Sequence, residues 1–94
     1  MANVARKYRI LGRVQGVGFR YFAERQAIEL GVRGYVKNLP NGDVEVYAIG
    51  TDAALAALKR RLAAGPRMAH VTGVEEGEEA VERGYTRFEI QGGW

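Results

Sequence analysis

An α+β sandwich, two helices laid over one face of an antiparallel sheet, is the fold class this sequence predicts. Three observations point to it. Several short stretches carry the alternation or the β-former richness of strands, two intervening stretches switch to a helical period, and glycine, proline or asparagine punctuates the changes. The chain of 94 residues reads as one domain spanning 1–94. By surface scaling it can bury roughly 60 to 65 per cent of its unfolded surface, enough for a single modest core.

Tyr8, Ile10 and Val14 alternate with Lys7, Arg9 and Arg13, which sets a first strand at 7–14. From Phe19 the apolar positions become 19, 22, 23, 27 and 30, the period of an amphipathic helix, with Gly31 as its C-terminal cap. "VRGYVKNL" and "VEVYAIG" read as two strands joined in a hairpin at "PNGD". There Pro40 presets φ, and Asn41 and Gly42 tolerate the positive φ of a tight connection. Thr51 or Asp52 caps a second helix with Leu55, Leu58 and Leu62 along one face. Lys59, Arg60 and Arg61 sit near its C-terminal end, where the macrodipole favours cations, and Gly65-Pro66 stops it. A strand at 70–76, a polar glutamate-rich connection and a short strand at 86–90 complete the order β-α-β-β-α-β plus a short extra strand, the ferredoxin-like arrangement.

The composition narrows the chemistry more than the fold does. Cysteine and serine are absent and His70 is the single histidine. Ser-His-Asp and Cys-His catalysis, the cysteine-containing phosphatase loop and histidine-rich metal sites are thereby excluded. Asp43 and Glu45 make no convincing Mg²⁺ pair, so neither metal nor cofactor is expected. The opening "MANVARKYRI" lacks the apolar run of a signal peptide, and no segment approaches a membrane span, so a cytoplasmic protein is expected. Net charge is +3, with the basic residues concentrated in 1–40 and five glutamates crowded between 75 and 82. The first half therefore suits an anionic ligand, although any single one of these cations reads as a solvated surface charge.

The stretch "GRVQGVGFR", 12–20, joins the first strand to the first helix. A helix N-terminus presents backbone N–H groups without intrahelical partners, and the dipole adds partial positive charge there. Gly16 and Gly18 let successive N–H groups converge on one spot, and Arg20 can add a bidentate guanidinium to the same anion. Read from these residues alone, the loop is either such an anion nest or a tight turn followed by an exposed arginine. It is neither the Walker pattern nor the full dinucleotide fingerprint.

The same stretch resembles the first signature of the acylphosphatases, and "GYVKNLPNGDVEVYAIG", 34–50, resembles the second, with Gly34, Asn38, Gly42, Val44 and Gly50 in the family's spacing. The resemblance extends over essentially the whole chain. It implies hydrolysis of the carboxyl–phosphate bond of acyl phosphates to carboxylate and inorganic phosphate. It further implies that Gln15, Gly16, Val17, Gly18, Phe19 and Arg20 form the phosphate cradle, that Arg20 binds the phosphate, and that Asn38 orients the attacking water. By its own local chemistry Asn38 is a strand-end or turn residue. The tail "FEIQGGW" departs from the basic-aromatic ending of many relatives, which bears on how the C-terminus packs and not on the active loop.

The implied chemistry suits so sparse a set of groups. An acyl phosphate is a mixed anhydride with a good leaving group, so no strong general acid is needed. The protein must hold the phosphoryl group, stabilise charge on its oxygens and place a water in line behind phosphorus. The expected ligands are an acyl phosphate and inorganic phosphate, the latter as product and competitive inhibitor, with broad acyl tolerance. A monomer is expected, with no nucleic-acid or membrane partner. RNA-recognition modules share the element order, and Arg33-Gly34-Tyr35 begins like their aromatic motif, but Val36, Lys37, Asn38 and Leu39 supply no stacking residue. A non-catalytic anion-binding domain is the other reading the fold allows. His70 reads as structural or exposed, and Tyr35, Tyr47 and Phe88 as packing residues.

Overall fold

The computed structural model describes residues 2–92. Its elements are β1 (Val4–Arg13), α1 (Phe19–Glu29), β2 (Arg33–Asn38), β3 (Val44–Gly50), α2 (Asp52–Ala64), β4 (His70–Glu79) and β5 (Phe88–Gln91). The sheet runs β4-β1-β3-β2-β5. Tyr8 and Ile10 of β1, Val36 of β2 and Val44, Val46 and Ala48 of β3 form one buried cluster with Phe19, Ala23 and Ala27 of α1 and Leu55, Leu58 and Leu62 of α2. Period-two alternation in the strands thus meets period-3.6 stripes in the helices across one core.

The helix ends follow the local chemistry of the sequence. At the end of α1, Gly31 N donates to Ile28 O and Val32 N to Ala27 O, the paired bonds of a Schellman motif. Gly31 stands one position beyond the C-cap Leu30, at φ 70, the left-handed conformation that favours glycine. Of the two candidates for the α2 cap, Thr51 fills the role: its side chain accepts from Ala54 N at 3.1 Å.

The sheet is mixed, not wholly antiparallel. Pairings β1–β3, β1–β4 and β2–β3 are antiparallel, whereas β5 lies parallel to β2. The connection 80–87 carries the chain from one sheet edge to the other, over the face without helices. There Tyr35 and Tyr47 stack at 5.6 Å between ring centroids, with Tyr85 of the connection tilted against both. Glu82 N donates to the Tyr47 hydroxyl at 2.9 Å, and Arg33 donates to Tyr85 O at 2.7 Å. Tyr35 and Tyr47 are packing residues on that face, while Phe88 packs into the main core.

Strand limits also shift. β1 begins earlier than the alternation suggests, at Val4, and ends at Arg13; β5 is Phe88–Gln91. β4 continues through Glu79 instead of stopping at Glu76. In the added length Glu79 meets Lys7 across the strands at 3.9 Å, continuing a charged ladder in which Glu75 meets Arg9 at 2.6 Å on the same face and Glu76 meets Arg6 at 3.4 Å on the other. His70 is exposed at the start of β4. Gly93 and Trp94 lie outside the described residues.

Candidate active site

The end of the sheet where β1 and β2 finish carries the candidate residues. Asn38, the last residue of β2, pairs with Val44, which pairs in turn with Ile10 of β1. Beyond Arg13 the chain leaves the sheet through Val14 to Gly18 and enters α1 at Phe19. Val14 and Phe19 are buried and pin the two ends of this loop to the core. Between them Gly16 and Gly18 take φ of 75 and 78, a conformation costly to residues with a Cβ. A Cβ at either would meet nothing within 4 Å. The requirement for glycine there is conformational, not steric crowding.

The loop delivers an uncapped helix. Gly18 is the N-cap of α1 and makes no side-chain cap bond; the first turn contains no acidic residue. The first helical bond there is Phe22 N to Gly18 O at 3.1 Å, so the N–H groups of Gly18, Phe19, Arg20 and Tyr21 stand ahead of the intrahelical ladder. Val14, Gly16 and Gly18 of the loop and Phe19, Arg20 and Tyr21 of the first turn line a small concavity of about 130 Å³. Asn38 closes it from the sheet. A larger groove of about 510 Å³ runs between α1 and β5 along Ile28, Phe88 and Ile90. Its size does not make it the reactive site, because it contains neither the loop nor Arg20.

Arg20 is held by neutral acceptors. Its Nη1 donates to Gln91 O and Gly92 O, both at 3.2 Å, which orient the guanidinium without cancelling its charge. The segment after β5 therefore does bear on the active loop, contrary to the expectation from sequence. Elsewhere Arg6, Lys7, Arg9 and Lys37 pair with carboxylates, so part of the basic excess of the first half is matched, while at the head of α1 the charge of Arg20 adds to the positive helix end.

Gln15 occupies a different place from its neighbours. Its Nε2 donates to Leu39 O and to Asp43 O, each at 2.8 Å. The side chain thus bolts the loop to the β2–β3 hairpin just beyond Asn38. It does not line the concavity, and neither does Val17, which packs against the core. Phe19 likewise sends its ring into the core, so only its backbone faces the loop side. Sequence reasoning missed three features: Tyr21 on the wall, Val14 beneath it, and the carbonyls of Gln91 and Gly92. The position of Tyr21 in the same helical turn as Arg20 was the one signal available.

The nearest strongly shifted groups lie away from the concavity. Burial, with Glu76 adding and Arg6 opposing, pushes the Tyr8 phenol up to about 12. Burial and a hydrogen bond to Glu45 also raise Tyr35. Both stay protonated through neutrality, and neither serves as a base.

Fold and loop together define a class: small α+β sandwiches in which one strand-to-helix junction is left uncapped, with an arginine in its first turn. Comparison with known proteins narrows it. Residues 6–90 match the acylphosphatase family model. An acylphosphatase of Solibacter usitatus is 48% identical over 87 residues, 93% of this chain and 90% of that protein. One of Archaeoglobus fulgidus is 46% identical over 87 residues, 93% of this chain and 97% of that protein. The solved structure of an acylphosphatase from Coxiella burnetii superposes with a TM-score of 0.90 at 37% identity, covering 95% of this chain and 93% of that one. The chain belongs to the acylphosphatase family, hydrolases acting on the acid anhydride of a carboxylic and a phosphoric acid.

Proposed function

We propose that the chain hydrolyses acyl phosphates by in-line attack of water on a phosphoryl group held between the 15–20 loop and Arg20. The observation that carries this reading is the open head of α1: four backbone donors, two glycines at positive φ and an oriented guanidinium share one small concavity with Asn38. The four N–H groups at the head of α1, those of Gly18, Phe19, Arg20 and Tyr21, are joined by those of Gly16 and Val17 in the loop before it as donors to the phosphoryl oxygens. Gln15 contributes through the loop backbone, its side chain keeping the loop against the hairpin. Arg20 supplies the full positive charge, and these preorganised donors stabilise charge as it spreads over the equatorial oxygens.

Asn38 positions the water, since a carboxamide accepts and donates without titrating. The water oxygen forms the new bond to phosphorus, and the bond from phosphorus to the acyl oxygen breaks. The carboxylate departs with the electron pair, and the water proton passes to a phosphate oxygen of the substrate. No protein base is used. Inorganic phosphate occupies the same cradle and competes with substrate. No helix among the described residues is long and apolar enough to cross a membrane. We place the enzyme in the cytoplasm as a monomer, acting on a small molecule with neither a nucleic-acid nor a membrane partner.

Hydrolysis of benzoyl phosphate in the presence of a chelator, by the wild type beside Asn38→Ala with inorganic phosphate as competitor, tests the reading. Turnover by the wild type, competitive inhibition, and a folded variant that binds phosphate but turns over slowly are expected. Phosphate binding without wild-type turnover would mean a non-catalytic anion site.

A further inference from the structure

Resting on that reading of the cradle, we infer that Tyr21 is the acyl-contacting residue and gives the enzyme a preference for aryl over small alkyl acyl phosphates. The side chain is out of place on any other account. It is 68% exposed, at the third position of α1, on a helix surface shared with Arg20, Glu24, Arg25 and Glu29 and with one other exposed apolar side chain, Ile28. The apolar needs of this turn of the helix are already met on either side of Tyr21, because Phe19 is buried and Phe22 packs on it with ring centroids 5.8 Å apart. Tyr21 therefore makes no contribution to the core.

Its position relative to the cradle follows from helix geometry. Side chains on a helix lean toward the N-terminus and cover the turn before their own Cα. For a residue in the first turn, what lies there is the loop itself, and Tyr21 duly lines the same concavity as Gly16, Gly18 and Arg20. It also borders a second, shallower concavity of about 310 Å³ with Glu24, Arg25 and Ile28 along α1. Ile28, seven residues on and so on the same face, is 62% exposed. Tyr21 is thus where the polar phosphate site passes into an apolar strip.

In-line displacement sets where the acyl group goes. With the water held at Asn38, the leaving oxygen occupies the opposite apical position, and the acyl carbon must leave the cradle along a wall that is not the sheet. The first turn of α1 is the other wall, and Tyr21 is its one exposed aromatic side chain. A flat aryl group can stack on that ring, whereas a methyl group is too small to cover it.

The test compares kcat/KM for benzoyl phosphate and acetyl phosphate in the wild type, Tyr21→Ala and Tyr21→Phe. Comparing the ratio of the two substrates between variant and wild type cancels their different intrinsic reactivity. We expect the benzoyl-to-acetyl ratio to fall about three- to tenfold in Tyr21→Ala and to hold in Tyr21→Phe, the range set by a single aromatic pair. An unchanged ratio in Tyr21→Ala overturns the inference, whatever the absolute rates. So does an equal loss on both substrates, which would make Tyr21 a support of the cradle. A wild type that hydrolyses neither compound overturns the hydrolytic reading itself and the inference with it; a wild type active on both isolates the failure to Tyr21.

Discussion

The two strand-to-helix junctions of this fold solve the same problem in opposite ways. They lie at opposite ends of the sheet, since Gly50 pairs with Val4 whereas the loop before α1 follows Arg13. At the β3–α2 junction Thr51 caps the helix with its own side chain, and Asp52 places a carboxylate in the first turn. That helix end is satisfied from within. At the β1–α1 junction the cap is a glycine with no side chain, the first turn has no acid, and Arg20 adds positive charge to an already positive helix end. The difference shows where folding stability has been left unclaimed. The donors that a cap such as Thr51 satisfies in one half stay open in the other, and on the function proposed above they serve the phosphoryl group.

The comparison breaks first at Arg20. In Arg20→Ala we expect kcat/KM for an acyl phosphate to fall about 10³-fold and phosphate inhibition to vanish. A variant that keeps wild-type inhibition constants would show that the loop amides alone hold the anion. Next in size, Asn38→Ala should lower kcat about 10²-fold while leaving the inhibition constant for phosphate near its wild-type value. Equal losses in both would assign Asn38 to binding.

Substitutions at the two caps sharpen the contrast. Gly18→Ala forces a Cβ into the left-handed region, so about 1–2 kcal/mol of stability should be lost. A drop in kcat/KM of about tenfold should accompany it, as roughly one hydrogen bond to the phosphoryl group is misaimed. Thr51→Ala should cost about 1 kcal/mol in denaturant unfolding with kcat/KM unchanged. If both variants lost only stability, the two junctions would be functionally equivalent.

The smallest effect is on pH. Tyr8 lies on the core face and its phenol is raised from 10.0 to about 12. A group raised in the folded state contributes stability that is fully present below pH 10 and is lost as pH climbs through 12. Tyr8→Phe should flatten the alkaline limb of the stability curve, which thermal melts between pH 9 and 12 would record. The Tyr8 hydroxyl also donates to Leu55 O, so the variant starts slightly less stable at neutral pH.

How much of this was legible beforehand depends on sequence separation. The helices, the Gly31 terminus, the turn at 39–43 and the cap of α2, narrowed to Thr51 or Asp52, are decided within a few residues, and reading along the chain found them. The loop glycines and Arg20 were legible for the same reason, as neighbours whose joint geometry is local. Asn38 became a site residue only by family resemblance, because its partner in the site lies about twenty residues away and local rules make it a turn residue. The parallel docking of β5 was not legible: a polar connection of eight residues, 80–87, reaches either sheet edge, and the edge it takes goes with contacts distant in sequence, Tyr85 of the connection against Tyr47 and Phe88 in the main core. Nor could the double bond from Gln15 to the hairpin be read, since a surface glutamine gives no hint of acceptors 24 and 28 positions on.

The grip of Gln91 and Gly92 on Arg20 has a consequence in time. The proposed cradle is built around residue 20 and its opposite wall at residue 38, yet among the described residues the guanidinium is oriented by carbonyls more than seventy positions later. A nascent chain emerging from a ribosome can close its hairpin and wind both helices while the site stays unassembled. On the function proposed above, competence then arrives late, with the docking of β5 on β2, so that the onset of turnover in a refolding sample would report that the sheet had been completed.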